Sequence, residues 1–184
     1  MKSHLRLPMK PPIASSAESR NLWFAVHTRS RHEKKIASQL SDKCITTFVP
    51  AVREIHRWTD RLKTVEMPLF PCYVFLCVKG WREIHQQIVR TPGVFQWVTS
   101  HGEPAQIPDS EIEAVRKMLD TGVEITPYPF LKVGRKVRIR GGCLKGVEGI
   151  LVKKNKDSRL LVSINLIQRS MSIPLQGYEV EPVS

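Results

Sequence analysis

The sequence predicts an α+β domain followed by a small all-β barrel. Three observations carry that reading. Apolar, β-branched runs alternate with helix-period segments between residues 21 and 120. A Gly- and Pro-bearing stretch follows, with Gly122, Pro127 and Pro129 marking residues 121–130 as a linker. Beyond it, five short strands separated by Gly or polar turns occupy about fifty residues.

Each element has its own local signal. Residues 1–20 carry Pro8, Pro11 and Pro12 and no hydrophobic period, so they read as a disordered basic tail. Residues 22–27, Leu-Trp-Phe-Ala-Val-His, form a short apolar strand. Ser30 and Glu33 stand at capping-box spacing, and the helix that should follow buries Ile36 and Leu40. Residues 44–49 read as a strand ended by Pro50, and residues 51–67 as a hairpin with Asp60 near its tip. Residues 69–78 are nearly continuously apolar and aromatic, which predicts a central strand. Trp81, Ile84 and Ile88 mark a second helix, and residues 94–98 another strand. Ser110 and Glu113 form a second capping-box pair, opening a helix with Ile112, Val115, Met118 and Leu119 inward. The predicted strands of the carboxy-terminal domain, residues 131–184, are 137–139, 147–153, 160–165, 170–175 and 178–183. Residues 160–171 also fit a helix period through Leu160, Ile164, Ile167 and Met171, but the β-branched residues and nearby glycines favour a strand.

Charge narrows the class of partner. The 184 residues carry a net charge of +12, unevenly spread. Residues 29–63 hold nine Lys/Arg against four Asp/Glu, net +5; residues 64–120 hold five against seven, net −2; residues 131–159 hold ten against two, net +8. Two basic blocks predict two surfaces facing polyanions, either nucleic acid or a nucleoprotein machine. No apolar run is long enough to span a bilayer, and the expected location is the cytoplasm, with no membrane partner. Cys44, Cys72, Cys77 and Cys143 form no Cys-x-x-Cys pair and read as buried free thiols. His4, His27, His32, His56, His85 and His101 are scattered, and there is no phosphate-binding Gly loop or His-Glu-x-x-His run. The expectation is therefore a non-enzyme without metal or cofactor.

Two sets of motifs point further. After the strand at 137–139, Gly142, Gly146 and Gly149 suit a tight turn with close backbone approach. This turn resembles the KOW motif. In the first domain, Trp23-Phe24-Ala25-Val26-His27-Thr28 with Glu33-Lys34, then Leu69-Phe70-Pro71-Cys72-Tyr73-Val74-Phe75, then Thr91-Pro92-Gly93-Val94 resemble segments of the NusG amino-terminal domain, in the family's order. The closing helix at 108–119 fits as well. The resemblance covers about residues 22–183 and identifies the chain as similar to NusG-family elongation and antitermination factors. Cys72 replaces the family's usual Gly, which leans the reading towards a specialised paralogue of RfaH or UpxY type.

The resemblance implies a monomer that docks on RNA polymerase, grips the clamp helices of the largest subunit, reaches the opposite lobe, and suppresses pausing or termination. The polymerase-binding residues it implies are His27, Phe70, Tyr73 and Phe75 for the clamp, with His85, Gln86 and Gln87 for the lobe. Tyr73 and Phe75 lie two apart on one strand and so share a face, although aromatic strand residues are as readily ordinary core. Arg29, Arg31, Lys34, Lys35, Arg57, Trp58 and Arg61 are the candidates for non-template DNA, by phosphate contact and base stacking, against the alternative of a solvated basic face. A ribosomal protein or Rho is the partner implied for the KOW domain. The rival reading is a ribosome-associated or RNA-binding structural protein that uses the barrel as its RNA module; it accounts for the +8 block but not for the aromatic strand.

Overall fold

A computed structural model describes residues 21–57, 62–131, 134–154 and 157–183. The predicted tail, residues 1–20, lies outside the described residues. The chain runs β1 (Leu22–Thr28), α1 (Glu33–Ser41), β2 (Thr46–Phe48), β3 (Ala51–Arg57), β4 (Leu62–Pro68), β5 (Tyr73–Val78), α2 (Trp81–Val89), β6 (Val94–Trp97), β7 (Thr99–Ser100), β8 (Glu103–Pro104) and α3 (Asp109–Asp120). It continues with β9 (Thr126–Tyr128), β10 (Arg135–Ile139), β11 (Glu148–Lys154), β12 (Asp157–Ile164), β13 (Arg169–Pro174) and β14 (Val180–Pro182). No helix among the described residues is long and apolar enough to cross a membrane.

The first sheet is antiparallel, in the order β2-β5-β1-β6, so β1 and β5 are its central strands. Alternation along them divides the core into two layers. Phe24, Val26, Val74, Leu76 and Val78 face one side, where Ile36 and Leu40 of α1 and Ile88 of α2 cover them. Trp23, Ala25 and Phe75 face the other, beneath Leu69, Phe70, Ile107 and the Ile112–Val115–Met118 stripe of α3. The Ile107 N–H donates to the Trp23 carbonyl at 2.8 Å, anchoring the approach to α3 against β1. The β3–β4 hairpin pairs only with itself among the described residues.

The second sheet is also antiparallel, ordered β14-β10-β11-β12-β13-β9. One face buries Val137, Ile139, Leu160, Val162, Ile164, Met171 and Ile173. Gly142 and Gly146 take left-handed φ of +74° and +84°. A Cβ on Gly149 would stand 2.2 Å from the Leu161 carbonyl oxygen, so β11 and β12 approach as closely as they do only because that residue has no side chain. Residues 160–164 are strand, and the helix period beyond them is met only by a single 3₁₀ turn at Asn165–Ile167.

The expected reading differs from the observed structure in several places. The stretch 121–130 is not all linker, because Thr126–Tyr128 joins the second sheet as an edge strand beside β13. Pro127 is tolerated there because an edge strand has one side without ladder bonds. Neither capping box forms: α1 starts after His32 and α3 after Pro108, both without a side-chain cap. Residues 69–72 turn before β5 rather than extending it. The thiols are not fully buried either, since Cys44 and Cys143 are exposed and Cys72 and Cys77 half-buried.

Candidate docking surface and its basic flank

The register of β1 on β5 sets His27 opposite Tyr73 and Ala25 opposite Phe75. Residues opposite one another on antiparallel strands share a face, so all four side chains lie on the α3 side of the sheet. The rings run along this face in two groups, an outer and an inner one. Phe95, on β6, lies 5.6 Å from His27 between ring centroids, and His27 lies 5.5 Å from Tyr73 in an edge-on contact. Deeper in, Phe70 meets Phe75 at 5.7 Å, Phe75 meets Phe48 at 6.3 Å, and Phe48 meets Trp23 at 6.2 Å. The Arg116 guanidinium of α3 caps this inner end, 4.9 Å from the Trp23 ring and 5.1 Å from Phe48.

The two ends differ in access. Phe95 is 59% exposed, and His27 and Tyr73 are half-buried. Phe75 and Phe70 are 0% and 2% exposed. The expectation that the Phe70 and Phe75 rings meet the clamp is therefore corrected: both side chains are sealed in the core. The reason is position. Phe75 sits on a central strand opposite Ala25, whose methyl leaves room for a ring, and α3 and the Leu69–Phe70 turn close over it.

His85, Gln86 and Gln87 lie on α2, which packs on the opposite face of the sheet. The His85 ring is held between Trp81, edge-on at 5.8 Å, and Trp97, stacked at 6.1 Å with 9° between planes. It is a packing residue, while Gln86 and Gln87 are exposed. The Gln87 carbonyl accepts hydrogen bonds from Thr91 Oγ1 and Lys43 Nζ, which fix the end of α2.

The basic residues gather where β1 passes into α1. Arg29, Arg31, Lys34 and Lys35 are all exposed. Lys34 is not free: it pairs with Glu66 of β4, which also meets Arg53 at 3.4 Å, so this cluster ties the hairpin to α1. Arg57 ends β3, but its side chain and the whole of Trp58 and Arg61 lie outside the described residues.

Phe95, Arg116 and Glu33 are the residues that sequence reasoning missed. Phe95 was visible as an aromatic on an expected strand, but its exposure depends on the register shift between β1 and β6 at His27/Thr28. Arg116 had no signal beyond lying on the polar side of a helix. Glu33 read as a cap and is instead 3% exposed, accepting the Cys72 N–H at 2.8 Å. No group of His, Cys, Asp and Glu among the described residues is arranged to hold a metal ion.

Between the two sheets lies α3. Glu111 Oε1 and Oε2 accept hydrogen bonds from Asn165 Nδ2 and the Asn165 N–H, at 2.6 and 3.1 Å. Burial raises the Glu111 carboxyl above its usual range, against the downward pull of those two bonds. Lys117 Nζ donates to the Lys145 carbonyl at 3.2 Å from the same helix.

A family model described as transcription termination factor NusG matches residues 21–116, the span that holds the aromatic band, the basic flank and most of α3. The chain belongs to the NusG family. Among curated relatives, the transcription termination/antitermination protein NusG of Lactococcus lactis is 25% identical over 174 residues, covering 88% of this chain and 92% of the relative. That of Bacillus subtilis is 24% identical over 172 residues, covering 86% and 97%. Among solved structures, one titled as domain interaction in Thermotoga maritima NusG superposes with a TM-score of 0.52 at 22% identity, over 90% of this chain and 98% of that one, and shows a shared fold. Membership makes this chain a NusG-family transcription factor, and its sheet-rich architecture with three helices among the described residues is that of the family.

Proposed function

We propose that this NusG-family factor binds RNA polymerase through the open end of its aromatic band, His27, Tyr73 and Phe95, taking a clamp helix of the largest subunit across those rings and so suppressing pausing or termination. The observation that carries the reading is Phe95, a large aromatic 59% exposed beside two half-buried rings on a sheet face where Phe70 and Phe75 are sealed. An exposed aromatic cluster rimmed by polar side chains is what a helix-in-groove contact uses. Gln86 and Gln87 project from the opposite side of the sheet, which suits a factor that touches two lobes of one machine. Arg29, Arg31 and Lys35 supply exposed charge for non-template DNA near the docking end, whereas Lys34 is engaged by Glu66.

The carboxy-terminal sheet acts in this reading as a separate KOW-type domain, residues 131–184, that recruits a second protein such as Rho or a ribosomal protein. The RNA-module alternative is weakened because basic residues of the +8 block are already paired: Arg138 binds Glu148 at 2.7 Å, and Arg140 meets Glu181, from outside that block, at 3.5 Å. Cys72 in place of the family's usual Gly supports a specialised paralogue of RfaH or UpxY type.

The test is equilibrium binding of the full chain to core RNA polymerase. Tyr73→Ala is expected to weaken binding by about 2 kcal/mol, roughly thirty-fold, while thermal unfolding remains cooperative. Unchanged affinity with an intact fold would remove the docking surface from this face.

A further inference from the structure

Residues 70–73 make a turn closed by the Tyr73 N–H on the Phe70 carbonyl at 3.3 Å, with Pro71 second and Cys72 third. Cys72 has φ of +70°, the left-handed value that the third position of a type II turn requires and that favours Gly. Types I and II differ by a flip of the central peptide, here the bond joining Pro71 to Cys72. The Cys72 N–H belongs to that peptide, and it points to Glu33 Oε1, 2.8 Å away. The Cys72 carbonyl is held separately by the Thr28 N–H at 2.8 Å. Glu33 is 3% exposed, and a buried acid needs a partner such as this one. The very next residue is Tyr73, whose ring lies 5.5 Å from His27.

We propose that Glu33 is a positioning residue for the docking surface: its carboxyl group selects one flip of the peptide joining Pro71 to Cys72, and so fixes the Tyr73 ring where a partner helix meets it. The proposal rests on the reading of Tyr73 as a polymerase contact. A glycine at position 72 would hold the left-handed turn without help, because it has no Cβ to disfavour it. With Cys72 in place, the turn is strained, and an acceptor on one side of the peptide decides the balance. Glu33, from the start of α1, supplies that acceptor across 39 residues of sequence.

The experiment is a double-mutant cycle on the full chain, read by affinity for core RNA polymerase, with Tyr73→Ala alongside. Glu33→Met keeps packing volume but removes the acceptor, and is expected to weaken binding about ten-fold. Glu33→Met combined with Cys72→Gly is expected to return to within about three-fold of Cys72→Gly alone, because the turn no longer needs the clamp. A merely structural Glu33 predicts no such rescue, so a double variant as weak as Glu33→Met overturns the proposal. So does full binding by Glu33→Met when Tyr73→Ala has lost it. Unchanged binding by Tyr73→Ala instead defeats the docking reading itself, and the proposal with it. Should Glu33→Met not fold, Glu33→Gln carries the cycle: its neutral acceptor is expected to cost about three-fold, restored by Cys72→Gly. No loss in that variant overturns the proposal.

Discussion

The inner and outer rings of this aromatic face differ in access because of the strands that carry them. At the inner end Phe75 stands on a central strand under α3, touching Phe70 and Phe48, and is 0% exposed. At the outer end Phe95 stands on edge strand β6 and is 59% exposed, with only His27 as its ring neighbour among the described residues. Both are phenylalanines in apolar runs, so residue type does not separate them. Strand position in the sheet does. An aromatic at the centre of a covered sheet is committed to packing, whereas the same ring at an edge, past the reach of the covering helix, stays open to solvent, where the proposed docking surface needs it.

That comparison is broken or sharpened by truncating each end. The largest effect belongs to Phe75→Ala, expected to destabilise the fold by about 3–5 kcal/mol through lost burial and a cavity that the strand cannot collapse. Chemical denaturation measures it, and a loss under 1 kcal/mol would mean that Phe75 is not sealed. Phe95→Ala should do the reverse. Its stability is expected to stay within about 0.5 kcal/mol of wild type, while affinity for core RNA polymerase falls about ten-fold. If instead Phe95→Ala unfolds the chain and binds normally when folded, the distinction between the ends is wrong.

Much of this was legible beforehand, and the failures have a common physical source. Helix-period patterns located α1, α2 and α3, because each buries one face, as with Ile36 and Leu40 or Ile112, Val115 and Met118, and continuous apolar runs located β1 and β5, because both of their faces are covered. The Gly149 approach was likewise readable from spacing alone. What a linear pattern does not encode is which apolar residue ends up under another element. Phe75 and Tyr73 share a face and pack on the same core, but α3 and Phe70 seal the one and leave the other half-buried. Glu33 illustrates the same limit for polar groups. Its spacing from Ser30 is that of a local cap, but its partner is Cys72, brought near by the β1–β5 pairing. The two-residue hairpin strands β7 and β8 went unread because their turn, His101-Gly102, is the only strong punctuation they have; both residues take positive φ, 53° and 86°.

The smallest expected effect concerns the helix that seals the inner end. Glu111 joins α3 to Asn165 in the 3₁₀ turn between β12 and β13, and burial raises its carboxyl above the ordinary value of 4.5. A carboxyl whose folded value is raised holds its proton more tightly when folded, so its contribution to stability is fully present below 4.5 and is lost as pH rises through the folded value. Glu111→Gln mimics the protonated group at every pH. The variant is therefore expected to melt slightly above wild type at pH 7, with the gap closing as pH falls below the ordinary carboxylate range. Comparing the two chains at each pH cancels the other carboxylates, whose protonation destabilises both alike. A variant that melts below wild type at pH 7, with the deficit closing on acidification, would mean that the Asn165 bonds outweigh burial, making the junction between α3 and the second sheet an ionic clasp rather than a desolvated contact.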